Sequence, residues 1–129
     1  MSGCGTAEPP RLEVFPVKGT LHVNGKPAAH AELTFHRKEP LQDASGRDLF
    51  PYAIVQDDGK FAVLTNADGD GAPPGEYAIT VVWPKITIEG GEETFGPDML
   101  RGRYRDPGTP VTTIVVTEQD NVIPPINLK

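Results

Sequence analysis

Apolar and polar residues alternate along most of the chain with a period of two, which is typical of β-strands that bury one face. The longest apolar row on a single face starts at Tyr77 and ends at Trp83. Shorter rows of the same kind predict further strands at residues 17–23, 31–36, 52–56, 60–65, 112–117 and 126–128. The chain is therefore predicted to contain seven strands, or eight if residues 12–15 form one as well.

The same rows predict which residues form the core and which strand lies in the middle of a sheet. β-branched residues lie on both faces of residues 112–117, which favours a central strand. Ten residues of inward parity are expected to be mostly buried: Val17, Leu21, Leu33, Phe35, Phe61, Tyr77, Ile79, Val81, Ile114 and Leu128.

Turn signals separate the rows. Asn24-Gly25 and Asp58-Gly59 are dipeptides that close tight β-hairpins, because both residues accept positive φ. Gly and Pro contribute 14 residues each, nearly twice their usual share. The longest stretch without either covers residues 111–123. This spacing excludes a helical bundle and argues against βαβ repeats, which need crossover helices, so an all-β domain remains.

The chain has 129 residues, which suffice for one domain. Residues 1–11 form a predicted flexible tether, and residues 12–129 a single β-sandwich domain with long loops at 38–51 and 84–110. Such loops often carry function. Four apolar residues of the second loop are expected to contact the sandwich: Phe95, Met99, Leu100 and Tyr104. Four charged ones are expected to stay in solvent: Glu92, Glu93, Arg101 and Arg103.

The charge balance argues against several partners. The formal net charge is −6, and no basic stripe exists, so electrostatically driven binding to nucleic acid is not expected. Arg101, Arg103 and Arg105 form a local basic cluster, which we interpret as a solvated loop beside the acidic residues 89–93 rather than a phosphate site. No apolar run approaches the ~18 residues of a transmembrane helix.

The single cysteine, Cys4, excludes an intrachain disulfide and lies in a Ser-Gly-Cys-Gly sequence. Small residues before a cysteine end the signal segment of bacterial lipoproteins, where the cysteine receives the lipid. Cys4 is therefore a candidate lipid attachment site, and a membrane the candidate partner. The alternative is a free thiol in an irregular chain start.

Three motifs, in order, resemble carboxypeptidase-regulatory-like domains, which have a transthyretin-like (prealbumin-like) fold. They are residues 19–35, the acidic Gly turn and aromatic at 57–61, and the Pro-Pro-Gly-Glu-Tyr corner at 73–77. Residues 103–117 are similar to the stretch before the late strand of small planctomycete-type lipoproteins, which also begin with Gly-Cys-Gly. The resemblance implies a Greek-key β-sandwich that is lipidated at Cys4 and held outside the cytoplasm, in the periplasm or on the cell surface.

The function implied by this resemblance is structural or binding, without catalysis, because most members of these families catalyse no reaction. An envelope protein or a glycan is the expected partner. The alternative is a small-ligand or carbohydrate-binding module that uses the 84–110 loop. Its candidate ligand-binding residues are Trp83, Arg101, Arg103 and Tyr104. Trp83 and Tyr104 have a competing interpretation as packing residues, since Trp83 is in phase with the buried row from Tyr77.

Two enzyme chemistries known on related sandwiches find no matching residues. Some transthyretin-like proteins hydrolyse 5-hydroxyisourate with a His and Arg cluster and a Tyr-Arg-Gly-Ser type C-terminus, whereas residues 126–129 are Ile-Asn-Leu-Lys. His22 and His36 are predicted on outward faces. The Tyr and His ligands of intradiol dioxygenases have no counterpart at ligand-like spacing. No catalytic residue, metal site or cofactor is therefore expected.

Two further motifs are assigned to structure. Residues 66–71 begin like a Ca²⁺ loop, but Tyr77 stands where an EF-hand needs its last carboxylate, so a polar turn is the better interpretation. Lys18 and Asn127 lie on the first and last strands, where related surface sandwiches form an isopeptide bond assisted by an acid such as Glu76. Their parity places Lys18 and Asn127 in solvent, which argues against that bond.

Overall fold

The computed structural model describes residues 13–42, 46–65 and 70–129, so Cys4 and the predicted tether lie outside the described residues. The described chain is all-β, as predicted, and contains no helix. The first six strands are β1 (Val17–Val23), β2 (Lys26–Pro27), β3 (Glu32–Arg37), β4 (Tyr52–Ile54), β5 (Lys60–Ala62) and β6 (Gly75–Val82). The others are β7 (Pro84–Glu89), β8 (Glu92–Asp98), β9 (Thr112–Val116), β10 (Asn121–Val122) and β11 (Ile126–Leu128).

The first sheet is built around β1. On one side β1 pairs in antiparallel fashion with β2 and β5, and on the other it pairs in parallel with β10 and β11. Lys18 has partners on both sides, Ala62 in β5 and Val122 in β10. Of the predicted strand at residues 12–15, the described residues 13–15 contain one bridge, between Phe15 and Ala72.

The second sheet is antiparallel, with strand order β4-β3-β6-β9. The strand predicted as central at residues 112–117 lies at the edge, and Val115 is 64% exposed there. That prediction was wrong because β-branched residues suit a pleated surface at an edge as well as in the middle.

The apolar faces of the two sheets meet in one core, an arrangement consistent with a β-sandwich. Phe35 from β3 and Tyr77 from β6 pack edge to face, with ring centroids 6.2 Å apart. Eight of the ten predicted core residues are buried, and the other two, Ile114 and Leu128, pack against the core partly exposed. Lys18 and Asn127 are exposed, as their parity predicted.

The two predicted turns differ in detail. Asn24 and Gly25 both have positive φ and join β1 to β2 as a two-residue hairpin. The second turn is a three-residue loop, because Gln56 N donates to Lys60 O and Gly59 N donates to Gln56 O. Only Gly59 has positive φ there, which is the geometry of a turn closed by a glycine bulge.

The 84–110 segment is not a long loop. Its first half forms an antiparallel hairpin of β7 and β8, followed by turns over residues 99–104. Leu100 is buried and Tyr104 packs against the core, as predicted, but Phe95 and Met99 are exposed, so the prediction for those two residues was wrong. The four charged residues of the segment are exposed, as expected. In the other predicted loop, residues 38–51, a short bridge joins Gln42 and Asp48.

Candidate functional site

Trp83, the first candidate ligand-binding residue, ends the apolar row of β6 and packs partly buried against the core. Its indole Nε1 donates to Ala29 O at 2.8 Å, and its carbonyl oxygen accepts from Met99 N. The indole thus already has a hydrogen-bond acceptor within the fold. The sequence parity correctly placed this side chain in phase with the buried row.

Tyr104, the second candidate aromatic, is likewise partly buried against the core, and its carbonyl oxygen accepts from Val81 N at 2.8 Å. Arg101 and Arg103 are exposed, and Arg103 Nε donates to Leu100 O at 3.3 Å. The structure therefore separates the four candidate residues into two packed aromatics and two solvated cations. Surface depressions of 260 to 460 Å³ are lined by other residues.

Asp98 stabilises the base of the hairpin, where β7 and β8 meet the sandwich. This residue was not identified from the sequence. Its Oδ1 accepts hydrogen bonds from Trp83 N and Leu100 N, and its Oδ2 accepts one from Gly102 N, all at 2.9 Å. Burial acts to raise the pKa of Asp98, but the three backbone donors and the charge of Arg105 outweigh it and lower the pKa. The carboxylate therefore joins the base of the hairpin to the turn that follows it.

The hairpin closes at Gly90 and Gly91, which connect the paired residues Glu89 and Glu92. Both glycines have positive φ, 60° and 83°, as the favoured two-residue hairpin turns require. The Gly-Gly pair within the predicted loop is therefore the sequence signal that could have predicted this hairpin.

The two faces of the hairpin differ in character. Ile86 pairs with Phe95 and Ile88 pairs with Glu93, which places these four side chains on one face. Ile88 is 69% exposed and Phe95 is 68% exposed. The opposite face carries the pairs Thr87–Thr94 and Glu89–Glu92. We call the face with Ile86, Ile88, Glu93 and Phe95 the apolar hairpin face.

The tip of the hairpin is acidic. Glu89, Glu92 and Glu93 are exposed and lie within two residues of the turn. None of them forms an ion pair with a described residue. The hairpin therefore presents an apolar face together with three carboxylates, one of them on that face, that have no cationic partner in the described ranges.

A second exposed apolar row lies along the edge strand β4 and the residues before it. Phe50, Tyr52 and Ile54 are each about half exposed, and Phe50 packs edge to face on His36 at 5.5 Å. Burial lowers the pKa of His36, whose Nε2 lies 2.9 Å from Thr80 Oγ1. This row lies on the sheet, whereas the hairpin extends from it.

Groups that would indicate catalysis do not converge in the described parts of the chain. His30 lies 3.6 Å from Asp57, and Lys38 lies 3.5 Å from Glu76, both at the surface. In the described ranges, no group of three or more His, Cys, Asp or Glu side chains could hold a metal ion. Within the same ranges, no helix has the length and hydropathy to span a membrane.

Comparison with known proteins gives distant structural likenesses. A 9R-lipoxygenase from Cyanothece is 13% identical with a TM-score of 0.46, and the match covers 98% of this chain but 18% of that enzyme. A Pseudomonas aeruginosa protein described as a "putative carbohydrate binding protein" is 12% identical with a TM-score of 0.48, over 90% of this chain and 89% of that one. No family model and no curated protein matches the sequence.

Proposed function

We propose that this chain is a non-catalytic binding module of the cell envelope, with a transthyretin-like sandwich as its scaffold and the β7–β8 hairpin as its recognition element. A lipid on Cys4 would hold the module outside the cytoplasm. The support for the anchor is the Ser-Gly-Cys-Gly sequence and the resemblance to lipoprotein sandwiches.

The observation that carries the proposal is the exposure of Ile88 and Phe95 on a hairpin that extends from the core. Large apolar side chains that share one face in solvent commonly mark interaction sites. Burying such a side chain against a partner contributes about 1.5 to 3 kcal/mol at full burial, and somewhat less here because each is already partly covered. Two such residues supply the central contact of a modest interface.

The acidic tip determines which partner fits. Glu93 lies on the apolar hairpin face and Glu89 and Glu92 lie beside it at the tip, and none of the three has a cationic partner among the described residues, so the matching surface is an apolar cleft bordered by Lys or Arg side chains. Complementary charge of this kind increases the rate of association and its sensitivity to salt more than it increases affinity. The partner with these properties is a protein surface in the envelope.

The alternative function, carbohydrate or small-ligand binding through Trp83, Arg101, Arg103 and Tyr104, has less support from the geometry. Both aromatic side chains pack against the core, and the Trp83 indole donates to Ala29 O. A sugar would therefore find only part of each ring free for stacking.

Co-sedimentation of the purified chain with envelope fragments of its source organism tests the proposal. Ile88→Ser combined with Phe95→Ser should weaken binding about tenfold or more, because both anchors lose their apolar contacts. Val115→Ser is the matched control, since Val115 is similarly exposed on β9. Equal binding by the double variant and the control would overturn the hairpin as the recognition element.

A further inference from the structure

The outer face of the first sheet carries a depression of about 460 Å³. Val122, Lys18 and Ala62 form a row across β10, β1 and β5, and Thr20 and Lys60 form the next row. Val122 is 81% exposed, and Pro125 also lines the depression. The depression therefore combines an apolar surface with two lysines.

Two lysines place positive charges on this face of an acidic molecule. Lys18 and Lys60 are diagonal neighbours on adjacent antiparallel strands, a spacing of roughly 7 to 8 Å. Neither forms an ion pair with a carboxylate of the described chain, although the whole chain carries a net charge of −6. A ligand for this face needs apolar groups and at least one carboxylate.

The apolar hairpin face has that composition. Ile88 and Phe95 supply the apolar groups, and Glu93 lies on the same face beside them. Glu89 and Glu92 add negative charge at the tip. The apolar hairpin face thus matches the depression on the first sheet. Both surfaces are partly apolar, and the carboxylates of one are opposite in charge to the lysines of the other.

The hairpin does not fill its own molecule's depression. It follows Val82, which pairs with Glu32 at the start of β3, and Trp83 Nε1 bonds to Ala29 in the connection between β2 and β3. That is the end of the sandwich where β1 finishes, whereas Lys18 lies near the start of β1. Ile88 and Phe95 accordingly remain exposed within one molecule.

We propose that the apolar hairpin face of one molecule docks in the Lys18–Lys60 depression of a second copy of this chain. Ile88 and Phe95 pack over Val122 and Pro125, and the Glu93 carboxylate lies near the two ammonium groups. The inference rests on the proposed function in one respect, because it takes the β7–β8 hairpin as a recognition element and gives it a second copy of this chain as a partner. Charge complementarity between two patches on one sequence is the observation that favours a second copy over another occupant.

Two charge-reversed variants of the full chain test this contact by sedimentation velocity. One carries Lys18→Glu and Lys60→Glu, and the other carries Glu89→Lys, Glu92→Lys and Glu93→Lys. Each variant alone would place like charges at the contact, whereas an equimolar mixture restores opposite charges at each contact between the two different variants. The control for the first variant is Lys26→Glu with Lys129→Glu, which changes the net charge equally at two other exposed lysines.

The wild-type chain should associate reversibly between about 10 µM and about 1 mM, and more weakly at high salt. Each charge-reversed variant should lose about thirtyfold or more in self-affinity, while the mixture and the control should associate like wild type. A wild-type chain that stays monomeric would overturn this inference and leave the envelope-binding proposal standing. Association that survives both reversals would also overturn it. Specific self-association together with envelope binding that is insensitive to Ile88→Ser and Phe95→Ser would keep this contact and overturn the hairpin as the element that binds the envelope.

Discussion

Single side chains hold turns of this fold in place through hydrogen bonds to the backbone, and Tyr77 is the clearest example. Its ring is buried against Phe35, and its hydroxyl donates to Pro73 O at 2.6 Å, four residues earlier in the chain. The bond holds the Pro-Pro-Gly corner against the start of β6, much as a tyrosine corner does in other sandwiches. The motif that resembled a family signature is therefore a fold determinant rather than a chemical group.

Replacing Tyr77 with Phe should lower the free energy of unfolding by about 1 to 2 kcal/mol, because Pro73 O loses its buried donor. Burial raises the pKa of Tyr77 to about 12, while nearby Arg37 acts in the opposite direction. The unfolded chain then loses this proton near pH 10, before the folded one does, so stability falls as the pH rises from about 10 to about 12.

Urea unfolding followed by the fluorescence of Trp83, the single tryptophan, measures both effects. The Tyr77→Phe variant should lose stability at neutral pH and show a shallower decline above pH 10 than wild type. Tyr52→Phe is the control, since Tyr52 is about half exposed and should change neither value. If the stability of the Tyr77→Phe variant declined above pH 10 as steeply as that of wild type, Tyr77 would not be the group that causes the decline.

At the scale of elements, the sequence predicted strands well where the apolar rows were long and buried. The row from Tyr77 to Val81 and the pair Leu33 and Phe35 are such cases, since burial on one face enforces the alternation. The hairpin was not predicted from the sequence. Its few apolar residues face solvent, so they form no long apolar row that would distinguish a strand from a loop. Asp98 was missed for a different reason, because only the folded chain brings the amides of residues 83, 100 and 102 to one carboxylate.

The hairpin should be dispensable for folding. Replacing residues 87–94 by Gly-Gly joins Ile86 directly to its partner Phe95 through a two-residue turn and removes the exposed tip. The free energy of unfolding should change by no more than about 0.5 kcal/mol, because the deleted residues bury little apolar surface. Envelope binding and self-association should both disappear. A loss of several kcal/mol in urea unfolding would instead show that the hairpin supports the sandwich.

At the scale of the whole molecule, the fold depends on pairing between its distant parts. β1 lies between β5 on one side and the parallel strands β10 and β11 on the other, so an early strand is completed by the last strands of the described chain. Alternation predicts that Ile126 and Leu128 form a strand, but not that its partner is Leu21–Val23, because period two carries no information about neighbours. Parallel pairing over such a sequence separation is also expected to make folding slow.

Removing the last strand should therefore cost most of the stability of the sandwich. A chain that stops after Pro125 loses Ile126, which is 7% exposed, the partly buried Leu128, and the bond from Asn24 N to Leu128 O. Loss of one buried Ile costs about 2 to 5 kcal/mol, and β1 would be left with an unpaired edge beside the core. Against a usual total of about 5 to 15 kcal/mol, we expect a urea midpoint well below that of the full chain. A chain that stops after Leu128 is the matched control, because it removes only the exposed Lys129 and should unfold like wild type. If both truncations unfold at the same urea concentration, the parallel pair of β1 and β11 does not close the sandwich.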